Sequence, residues 1–365
     1  MTYFTFNNIK IVGVAAAVPK QKVKIDDFTN QFGEETIKKY KIMTGIEEFR
    51  KSSDKQTASD LGFAAAENLI NKLNIPREEI DGLIFVSQSH DYKRPATAYV
   101  LHKRLNLNEN CAVFDINLGC SGFVYGFQIL ASVMNSSNMR KAMLIVAETS
   151  TKVMWPNDKS VSMLFGDSGS AVLLEKVNDA GNDIKGCLYS KGQYFKSIII
   201  PAGGFRMPDA DKNIFIGSDG NEHSLYYQYM NGLDIMQFSI TDVPKSIKEY
   251  LNYYKIDINR FDYYILHQAN AFIIKQLIKR FKLSKDKVPM VLNKYGNIGG
   301  VSIPLVLCDL LGMNNNGRNY SMFSCGFGIG LSWGILDFAI NEDVVLPVIE
   351  TDDFYQEGII TKEMI

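Results

Sequence analysis

The sequence predicts an α/β fold that is built from two similar halves. Apolar runs with the length of strands alternate with amphipathic helical stretches along the chain. In addition, segment 78–89 (REEIDGLIFVSQ) resembles segment 259–270 (NRFDYYILHQAN), since each has a polar lead and an Asp before an apolar strand. The two aspartates, Asp81 and Asp262, are 181 positions apart (262 − 81 = 181). These observations indicate a duplicated unit.

The same spacing aligns two glycine-rich turns, each followed by an apolar helix. Cys120 lies opposite Val301 (301 − 120 = 181), within LGCSGFVYGFQIL at 118–130 and GGVSIPLVLCDLL at 299–311. Strands that alternate with helices in this way predict βα units around mostly parallel sheets. The other corresponding elements are the helices 57–73 and 242–254 and the closing strands 141–148, 170–177, 318–324 and 331–340.

The repeat divides the chain into an N-terminal half at 1–180 and a C-terminal half at 181–340. Near the join, the stretch NDAGNDIKG interrupts the pattern of strands and helices. Residues 186–230 are predicted to be an insertion of turns and aromatic residues outside the core. Residues 341–365 follow the last strand and carry several acidic side chains, which predicts a surface tail.

Composition and charge argue against several classes of protein. Hydrophobic residues make up 46% and charged residues 22% of the 365 residues, and the formal net charge is −1, so neither nucleic acid nor an anionic membrane is an expected partner. The apolar run 11–18 is interpreted as a strand and not as a signal peptide, and no stretch is long and apolar enough to span a bilayer.

The five cysteines fit a reducing, cytoplasmic location. Their number is odd and no C-x-x-C pair occurs, so neither a disulfide framework nor a metal site is expected. Cys111, Cys187 and Cys308 lie in apolar patterns and are predicted to be buried structural residues.

Cys120 lies in a different setting, FDINLGCSGF, where an apolar strand runs into Gly-Cys-Ser-Gly and a helix follows. A side chain at such a turn lies near free helix N–H groups, and the positive helix end is expected to lower the pKa of the thiol. The flanking glycines let a substrate approach closely. Cys120 is therefore the candidate nucleophile for forming a thioester.

Two polar residues of the C-terminal half are candidates to act with Cys120. His267 ends the apolar strand YYIL, and polar residues at the carboxyl end of a strand are where α/β sites usually form. Asn297 lies in LNKYGNIGGVSIP, and the duplication would bring it close to Cys120. A lone His is more often structural, and an Asn before Gly is more often a turn residue. The argument for both therefore depends on Cys120.

Cys, His and Asn together form a chemical set. The cysteine attacks a thioester and holds the acyl group, while the His and the Asn donate hydrogen bonds to the carbonyl of a second thioester. These hydrogen bonds stabilise the enolate that forms when a malonyl group loses CO2. Backbone N–H groups at Cys120 and in the late turn SCGFGIGLSWG would hold the oxyanion.

Five stretches of the chain form an ordered set of motifs: DINLGCSGFVYG, LFGDSGSAVLLE, ILHQAN, YGNIGGVSIPL and FGIGLSWG, with MTGIEEFR near position 43 as a further stretch. In their order and spacing the chain resembles the ketoacyl-acyl-carrier-protein synthase III family over about residues 9–340. The resemblance implies the five-layer αβαβα thiolase fold and a homodimer. It also implies acyl-CoA and acyl carrier protein as partners, with the coenzyme A thioester as a substrate and no permanently bound cofactor.

The resemblance assigns roles to individual residues. Cys120, His267 and Asn297 would be the catalytic residues, and Gly330 would donate to the oxyanion together with the backbone of Cys120. Asn270 and the stretch 165–167 would support them.

Substrate-contact positions depart from the family pattern. Lys39 stands where family members usually carry a Trp that stacks on the CoA adenine, Arg94 where an aromatic residue caps the partner's acyl pocket, and Leu233 where an Asn contacts pantetheine. Lys39 and Lys159 are candidates to bind a CoA phosphate, and Arg94 could meet an anionic group of the substrate. These departures predict a specialised homologue in a secondary or surface-polysaccharide pathway. Lys275, Lys279 and Arg280 form either a docking face for acidic carrier protein or a solvated basic face.

Three other interpretations stay open at this point. An acyltransferase of the same fold would pass the acyl group from Cys120 to a hydroxyl or an amine, with His267 as general base. A thiolase would use a second cysteine as base, for which Cys325 is the candidate, although a thiolase normally lacks an Asn in the YGN position. A non-enzymatic partner of a heterodimer would usually lack the cysteine or the histidine.

Overall fold

The structure of the chain is a computed structural model that describes residues 2–179 and 181–364. The predicted boundary at residue 180 lies outside the described residues. The described strands are β1 (Thr2–Phe6), β2 (Ile9–Pro19), β3 (Lys22–Lys24), β4 (Glu48–Arg50), β5 (Ile80–Val86), β6 (Ala112–Ile116), β7 (Lys141–Glu148), β8 (Ser168–Lys176), β9 (Ile184–Ser190), β10 (Ile198–Ile199), β11 (Phe215–Ile216), β12 (Glu222–His223), β13 (Tyr229–Met230), β14 (Tyr263–Leu266), β15 (Asn319–Gly328), β16 (Ser332–Asn341) and β17 (Ile349–Thr351). The described helices are α1 (Thr29–Phe32), α2 (Glu34–Thr44), α3 (Ala58–Lys72), α4 (Thr97–Arg104), α5 (Gly122–Asn135), α6 (Gly232–Tyr254), α7 (Ala271–Phe281), α8 (Leu292–Tyr295) and α9 (Ser302–Leu311).

Two main sheets share the same internal order of strands. The N-terminal sheet has the order β17-β2-β8-β7-β5-β6, and the C-terminal sheet has the order β1-β9-β16-β15-β14. The strands β2, β8, β7 and β5 correspond to β9, β16, β15 and β14, and in both sheets the three pairs are antiparallel, antiparallel and parallel in that order. The duplication predicted from the spacing of 181 positions is therefore present in the fold.

The expectation of mostly parallel sheets is wrong for the C-terminal sheet, whereas the N-terminal sheet is mixed, with three parallel and two antiparallel pairs among its described strands. In the C-terminal sheet only β14 and β15 are parallel, and in the N-terminal sheet β8 is antiparallel to both of its neighbours. The strands β15 and β16 are joined by residues 329–331 alone. A connection of that length permits an antiparallel hairpin, whereas a parallel pair needs a crossover of a dozen or more residues.

Five layers of the αβαβα kind pack around three buried apolar clusters, and the central cluster contacts both sheets. Helices α3 and α4 cover the outer face of the N-terminal sheet, where Leu69 is fully buried. Helices α5 and α9 lie between the two sheets and contribute Phe127 and Leu305. Helices α6 and α7 cover the outer face of the C-terminal sheet with Ile247 and Leu277. Strands β5 and β7 are covered on both faces, which explains their continuous apolar sequences.

Side-chain hydrogen bonds cap the starts of two helices, α3 and α7. At the start of α3, the Thr57 backbone N–H donates to Asp60 Oδ2 (2.7 Å), as in a capping box. At the start of α7, Asn270 Oδ1 accepts from the Ile273 N–H (2.8 Å). No helix within the two described ranges has both the length and the apolar character needed to cross a membrane.

The prediction that residues 186–230 form an insertion outside the core holds for only part of that segment. Its first residues belong to β9, which lies inside the C-terminal sheet between β1 and β16, so the prediction was wrong for 186–190. The burial of β9 shows no regular alternation, and the strand was missed because Lys185, Gly186 and Ser190 interrupt its apolar residues. The remainder, 191–230, consists of turns and of the two-residue strands β10 to β13.

The prediction of a surface tail at 341–365 is wrong for its first part. Val345 is buried in the central cluster, and the Leu346 N–H donates to Val14 O (2.8 Å). Strand β17 then pairs in parallel with the edge of β2. Its Glu350 forms an ion pair with the buried Arg50 (2.7 Å), which gives a positive physical reason for an acidic residue in this segment.

A truncation tests the structural role of β17. Deletion of residues 349–364 removes the pairing with β2 and leaves Arg50 without its carboxylate and the Gln56 amide without the Thr351 carbonyl (3.2 Å). We expect a loss of about 2–3 kcal/mol in unfolding free energy and a Tm lower by several degrees, measured by circular dichroism. Deletion of 359–364 alone is the control. An unchanged Tm in the longer deletion would show that β17 is dispensable.

Candidate active site

Cys120 lies in the turn that joins β6 to α5, between Ile116 and Gly122, as the sequence predicts. It lines a cavity of about 290 Å³ that also reaches residues of the C-terminal half. Six lining residues are apolar, six are polar or acidic, and three belong to glycine-containing turns. They are Val153, Phe165, Ile198, Ile199, Ile200 and Ile329; Gln88, Ser89, Asn117, Glu148, Ser150 and Gln228; and Gly119, Cys120 and Gly299.

Two segments of the C-terminal half approach the nucleophile turn with no room for a side chain. A Cβ atom at Gly328 of β15 would lie 2.7 Å from Cys120 Cβ and 2.8 Å from Cys120 Sγ. A Cβ atom at Gly300 would lie 2.6 Å from the carbonyl oxygen of Gly119. Glycine is therefore required at both positions by packing. The turn at 299–302 and the turn at 119–122 are in direct contact, as the duplication predicts.

The pKa of the Cys120 thiol is raised, whereas the sequence predicts a lowered pKa. Burial raises the pKa of Cys120 to about 11, and this effect outweighs the hydrogen bond that the Ile329 backbone N–H gives to the sulfur, which acts in the opposite direction. The negative charge of Glu148 also raises this pKa. At neutral pH Cys120 is consequently a protonated thiol and not a resting thiolate.

Glu148 is an ionisable residue of the cavity that the sequence motifs did not single out. It is 4% exposed, and its carboxylate accepts hydrogen bonds from the Gln88 N–H (2.9 Å) and the Ser89 hydroxyl (2.8 Å). Burial raises the pKa of Glu148 to about 7. Its position as the last residue of an apolar strand (KAMLIVAE) was a usable signal, because sites collect at the ends of such strands.

His267 follows β14 and is held from three directions. Its backbone N–H donates to Cys325 O (2.9 Å), its ring meets the Phe327 ring edge-to-face at 5.2 Å, and its Nδ1 lies 2.9 Å from Ser302 Oγ. Phe327 adjoins Gly328, the residue that touches Cys120. Burial lowers the pKa of His267 to about 3, so the imidazole is neutral at physiological pH.

Ser302, a second residue missed in the sequence, contacts the ring of His267 at Nδ1. Its hydroxyl lies within hydrogen-bond distance of His267 Nδ1 (2.9 Å), Gly299 O (2.8 Å) and the Gln268 N–H (3.2 Å). The hydroxyl has one hydrogen to donate, and in the structure it donates to Gly299 O, which can only accept. Rotation of the hydroxyl towards Nδ1 would leave the ring proton on Nε2, where it is available to a ligand.

Asn297 is fixed through its backbone and its side-chain oxygen. Its N–H donates to Leu164 O (2.9 Å), its carbonyl accepts from the Gly166 N–H (3.0 Å), and its Oδ1 accepts from the Gly299 N–H (3.1 Å). The Asn297 Nδ2 group is thereby left as the donor of this side chain. The predicted supporting stretch 165–167 thus orients Asn297, and Asp167 in turn accepts from the Ser52 N–H (2.8 Å).

Of the predicted catalytic residues only Cys120 lines the cavity, since neither His267 nor Asn297 is among its lining residues, and the remaining predicted residues do not line it either. Gly330 directly follows Ile329, whose N–H contacts the Cys120 sulfur, and Asn270 caps α7. The other four are exposed. Lys39 pairs with Glu35 of its own helix, Arg94 lies 6.0 Å above the exposed Phe205 ring, Lys159 lies at the surface, and Leu233 is 73% exposed at the start of α6.

Cys325 lies on the face of β15 that points away from Cys120. Side chains alternate along a strand, and Gly326 and Gly328 face the nucleophile turn, whereas Cys325 and Phe327 belong to the cluster under α6 and α7. Cys111, Cys187 and Cys308 are buried, as predicted. Within 2–179 and 181–364, no group of three His, Cys, Asp or Glu side chains is arranged to hold a metal ion.

Comparisons with known proteins agree with this geometry. A family model described as 3-oxoacyl-[acyl-carrier-protein] synthase III matches residues 114–192, and the model of its C-terminal part matches residues 251–339. A Clostridium perfringens β-ketoacyl-[acyl-carrier-protein] synthase III is 33% identical over 328 residues, which cover 90% of this chain and 98% of the relative. The chain belongs to the 3-oxoacyl-[acyl-carrier-protein] synthase III family.

Two further members of the family are similar to this chain, one in sequence and one in both sequence and fold. A Campylobacter jejuni protein, whose name assigns it provisionally as a 3-oxoacyl-[acyl-carrier-protein] synthase 3, is 34% identical over 345 residues, 91% of this chain and 95% of the relative. The crystal structure of a 3-oxoacyl-(acyl-carrier protein) synthase from Burkholderia xenovorans superposes with a TM-score of 0.88 at 31% identity and covers 96% of this chain and 99% of that chain. The family resemblance and the thiolase-like fold predicted from the motifs are thus confirmed.

Substitution of Gly328 tests the close contact at the nucleophile. In Gly328→Ala the new methyl group must displace Cys120, so we expect the rate of Cys120 acylation to fall about 100-fold while the fold is retained. The rate is measured by mass spectrometry, and the far-ultraviolet spectrum checks folding. Gly204→Ala is the control because a Cβ atom there meets no neighbour within 4 Å. A wild-type rate in Gly328→Ala would refute the contact.

Substitution of Glu148 tests the electrostatics of the cavity. The folded-state pKa of about 7 lies above the value of 4.5 for a free glutamate, so the folded protein loses stability as the pH rises from about 4.5 to 7. Glu148→Gln removes that loss. We expect the variant to match the wild type at pH 5 and to be more stable by about 3 kcal/mol at pH 8, measured by chemical denaturation.

The same variant has an expected effect on the thiol. Without the negative charge of Glu148, iodoacetamide should alkylate Cys120 several-fold faster at pH 8 and at an unchanged rate at pH 5.5. Glu109→Gln, at an exposed position, is the control for both measurements. Slower alkylation of Glu148→Gln at pH 8 would contradict the assigned electrostatic effect.

Proposed function

We propose that the protein is a 3-oxoacyl-[acyl-carrier-protein] synthase III-type transferase that binds an acyl group on Cys120 and condenses it with a malonyl thioester. The observation that carries this proposal is the contact between the two halves at the site. Cys120 and Gly299 line one cavity, and the segment that follows Asn297 holds His267 through Ser302. A nucleophile and two neutral donors therefore belong to one continuous structure.

In the first step, Cys120 Sγ attacks the carbonyl carbon of an acyl-CoA. The bond to the CoA sulfur breaks, CoA leaves with the proton that Cys120 loses, and an acyl-Cys120 thioester remains. The Ile329 N–H already contacts the sulfur and, together with the Cys120 N–H and the neighbouring Gly330, supplies donors for the oxyanion. These backbone donors need no reorganisation as the negative charge develops.

In the second step, the malonyl thioester loses CO2 and the electron pair of the broken bond forms an enolate. His267 Nε2–H and Asn297 Nδ2–H donate to the enolate oxygen, which lowers the barrier to decarboxylation. The enolate carbon then attacks the acyl carbonyl and displaces the Cys120 thiolate, giving a 3-oxoacyl thioester. The thiolate takes up a proton from solvent, which restores the Cys120 thiol. Burial keeps His267 neutral, which suits a hydrogen-bond donor and disfavours a role as general base at neutral pH.

The surface supports two partners for this chemistry. Lys275, Lys279 and Arg280 are exposed on α7 next to Phe272, which is 38% exposed, and this basic face with an apolar centre suits an acidic carrier protein. Strand β6 is the open edge of the N-terminal sheet, and its Phe114 is 37% exposed. Pairing of β6 with its copy in a second chain would give the homodimer and cover this edge.

Release of CO2 distinguishes decarboxylative condensation from the competing acyltransferase reaction. The enzyme is incubated with short acyl-CoA donors and malonyl-acyl carrier protein, and protein mass and CO2 release are followed together. Decarboxylative condensation predicts an acyl mass on Cys120 and acyl-dependent CO2 release, both of which Cys120→Ala abolishes. An acyl mass without CO2 for every malonyl donor would replace the proposal by transfer to an alcohol or an amine.

Substitution of Asn297 separates the two steps. Asn297→Ala removes a donor to the enolate but leaves Cys120 and its backbone donors in place. We expect acylation within about threefold of the wild-type rate and decarboxylation at least 100-fold slower, measured on the isolated acyl-enzyme. Asn293→Ala, an exposed position on α8, is the control. Equal losses in both steps would show that Asn297 acts on structure and not on the enolate.

A further inference from the structure

The C-terminal segment 353–358, which we call the strap, lies against α3 and α4 and covers a buried ion pair. The side chains of Arg104 and Asp60 are 6% and 2% exposed and pair at 2.8 Å. Asp60 Oδ1 also accepts a hydrogen bond from the Tyr355 N–H (2.8 Å). The Arg104 guanidinium lies 4.7 Å from the centre of the Tyr355 ring and 4.1 Å from the centre of the Phe63 ring. The cation is therefore held between two aromatic rings, one of which belongs to the strap.

A second contact joins the strap to the loop that follows β5. The Tyr92 hydroxyl donates to the carbonyl oxygen of Gly358. The preceding residue, Asp91, accepts from Ser59 Oγ (2.6 Å), and the same hydroxyl accepts from Arg104 (3.3 Å). The strap, the helices α3 and α4 and this loop thus form one hydrogen-bonded unit.

The other end of this loop forms a wall of the cavity of Cys120. Gln88 and Ser89 both line the cavity. The Gln88 N–H (2.9 Å) and the Ser89 hydroxyl (2.8 Å) donate to the carboxylate of Glu148. The Gln88 side chain packs so closely on the nucleophile turn that a Cβ atom at Gly119 would overlap Gln88 Oε1. The position of this wall therefore limits the room beside the thiol.

The loop is short enough for its two ends to depend on each other. Residues 87–92 contain neither helix nor strand, and only two residues separate Ser89 from Tyr92. Between them, the Asp91 N–H donates to Thr97 Oγ1 (3.1 Å). A segment of this kind is held by contacts at its ends, which here are Glu148 on the cavity side and the strap on the outer side. Loss of the strap contacts should therefore release the wall as well as lower the stability.

We propose that the strap fixes the position of the loop 87–92 and thereby limits the length of the acyl chain that Cys120 accepts. The inference rests on the proposed function, because it requires Cys120 to carry an acyl group. Tyr92 and Tyr355 are then positioning residues, since neither lines the cavity and both act through the two cavity residues of the loop. The cavity volume of about 290 Å³ lies at the small end for ligand sites, as a restrained wall requires.

The test measures the choice between a long and a short acyl donor. Octanoyl-CoA and butyryl-CoA compete for the full-length protein, and the ratio of the two acyl masses on Cys120 is determined. This ratio does not depend on the amount of folded protein, because both donors compete for the same thiol. In Tyr92→Phe, which removes only the hydroxyl, we expect the octanoyl-to-butyryl ratio to rise about three- to tenfold, the effect of one hydrogen bond. Tyr99→Phe, at an exposed tyrosine of α4, is the matched control and should keep the wild-type ratio.

Two further changes test the strap itself. Deletion of 353–364 removes the strap and keeps β17, and Tyr355→Ala uncovers Arg104, so both should raise the ratio about tenfold or more. Tyr355→Phe keeps the ring over Arg104, and deletion of 359–364 keeps Gly358. Both of these variants should therefore retain the wild-type ratio.

The outcomes separate this inference from the proposed function. An unchanged ratio in Tyr92→Phe or in the deletion of 353–364, even with a lower Tm, would show that the strap only stabilises the fold. The inference is then overturned while acylation of Cys120 stands. If no donor of either length acylates Cys120 in the wild type, the proposed function fails and the inference fails with it.

Discussion

The active site depends on the direct contact of two backbone turns that come from opposite halves of the chain. Gly300 lies so close to the carbonyl of Gly119 that a Cβ atom would be 2.6 Å away, and Gly328 is equally close to the Cys120 thiol. Because no side chain fits between them, the starts of α5 and α9 meet at the middle of the molecule. The two sheets on either side of these helices hold the contact in place. In this way Cys120 belongs to the same small structure as Asn297, although the two residues are far apart in sequence.

Burial of this contact region determines the charge state of the site. It raises the pKa of Cys120 to about 11 and that of Glu148 to about 7, and it lowers the pKa of His267 to about 3. At neutral pH the thiol and the imidazole are therefore both uncharged. An uncharged site of this kind stabilises developing negative charge through hydrogen-bond donors that are already oriented. These donors are the Ile329 backbone, His267, which Ser302 contacts, and the Asn297 amide. This suits a reaction in which loss of CO2, and not a strong base, generates the carbanion.

Much of the architecture could be predicted from the sequence, because duplication preserves both spacing and polar residues at strand ends. The spacing of 181 positions is enough to identify the turns of Cys120 and Val301 as equivalents, and the two turns do meet in the fold. Strand β17 was missed because it has only three residues, and β9 because Lys185, Gly186 and Ser190 interrupt its apolar residues. Both strands are stabilised by neighbours distant in sequence. Glu148 and Ser302 were missed for a different reason, since their importance comes from burial and from partners that only the fold reveals. The positions of Lys39, Arg94, Lys159 and Leu233 in relation to a substrate remain predictions.

A crystal structure of the acyl-enzyme is the most direct test of this account. The account predicts a thioester on Cys120 whose carbonyl oxygen lies about 3 Å from the backbone N–H of Cys120 and of the 329–330 segment. The acyl chain should extend along the wall that contains Gln88 and Ser89, and His267 Nε2 and Asn297 Nδ2 should face the reacting carbon from the other side. An acyl group attached to a different residue, or a carbonyl oxygen turned away from these backbone donors, would contradict the account.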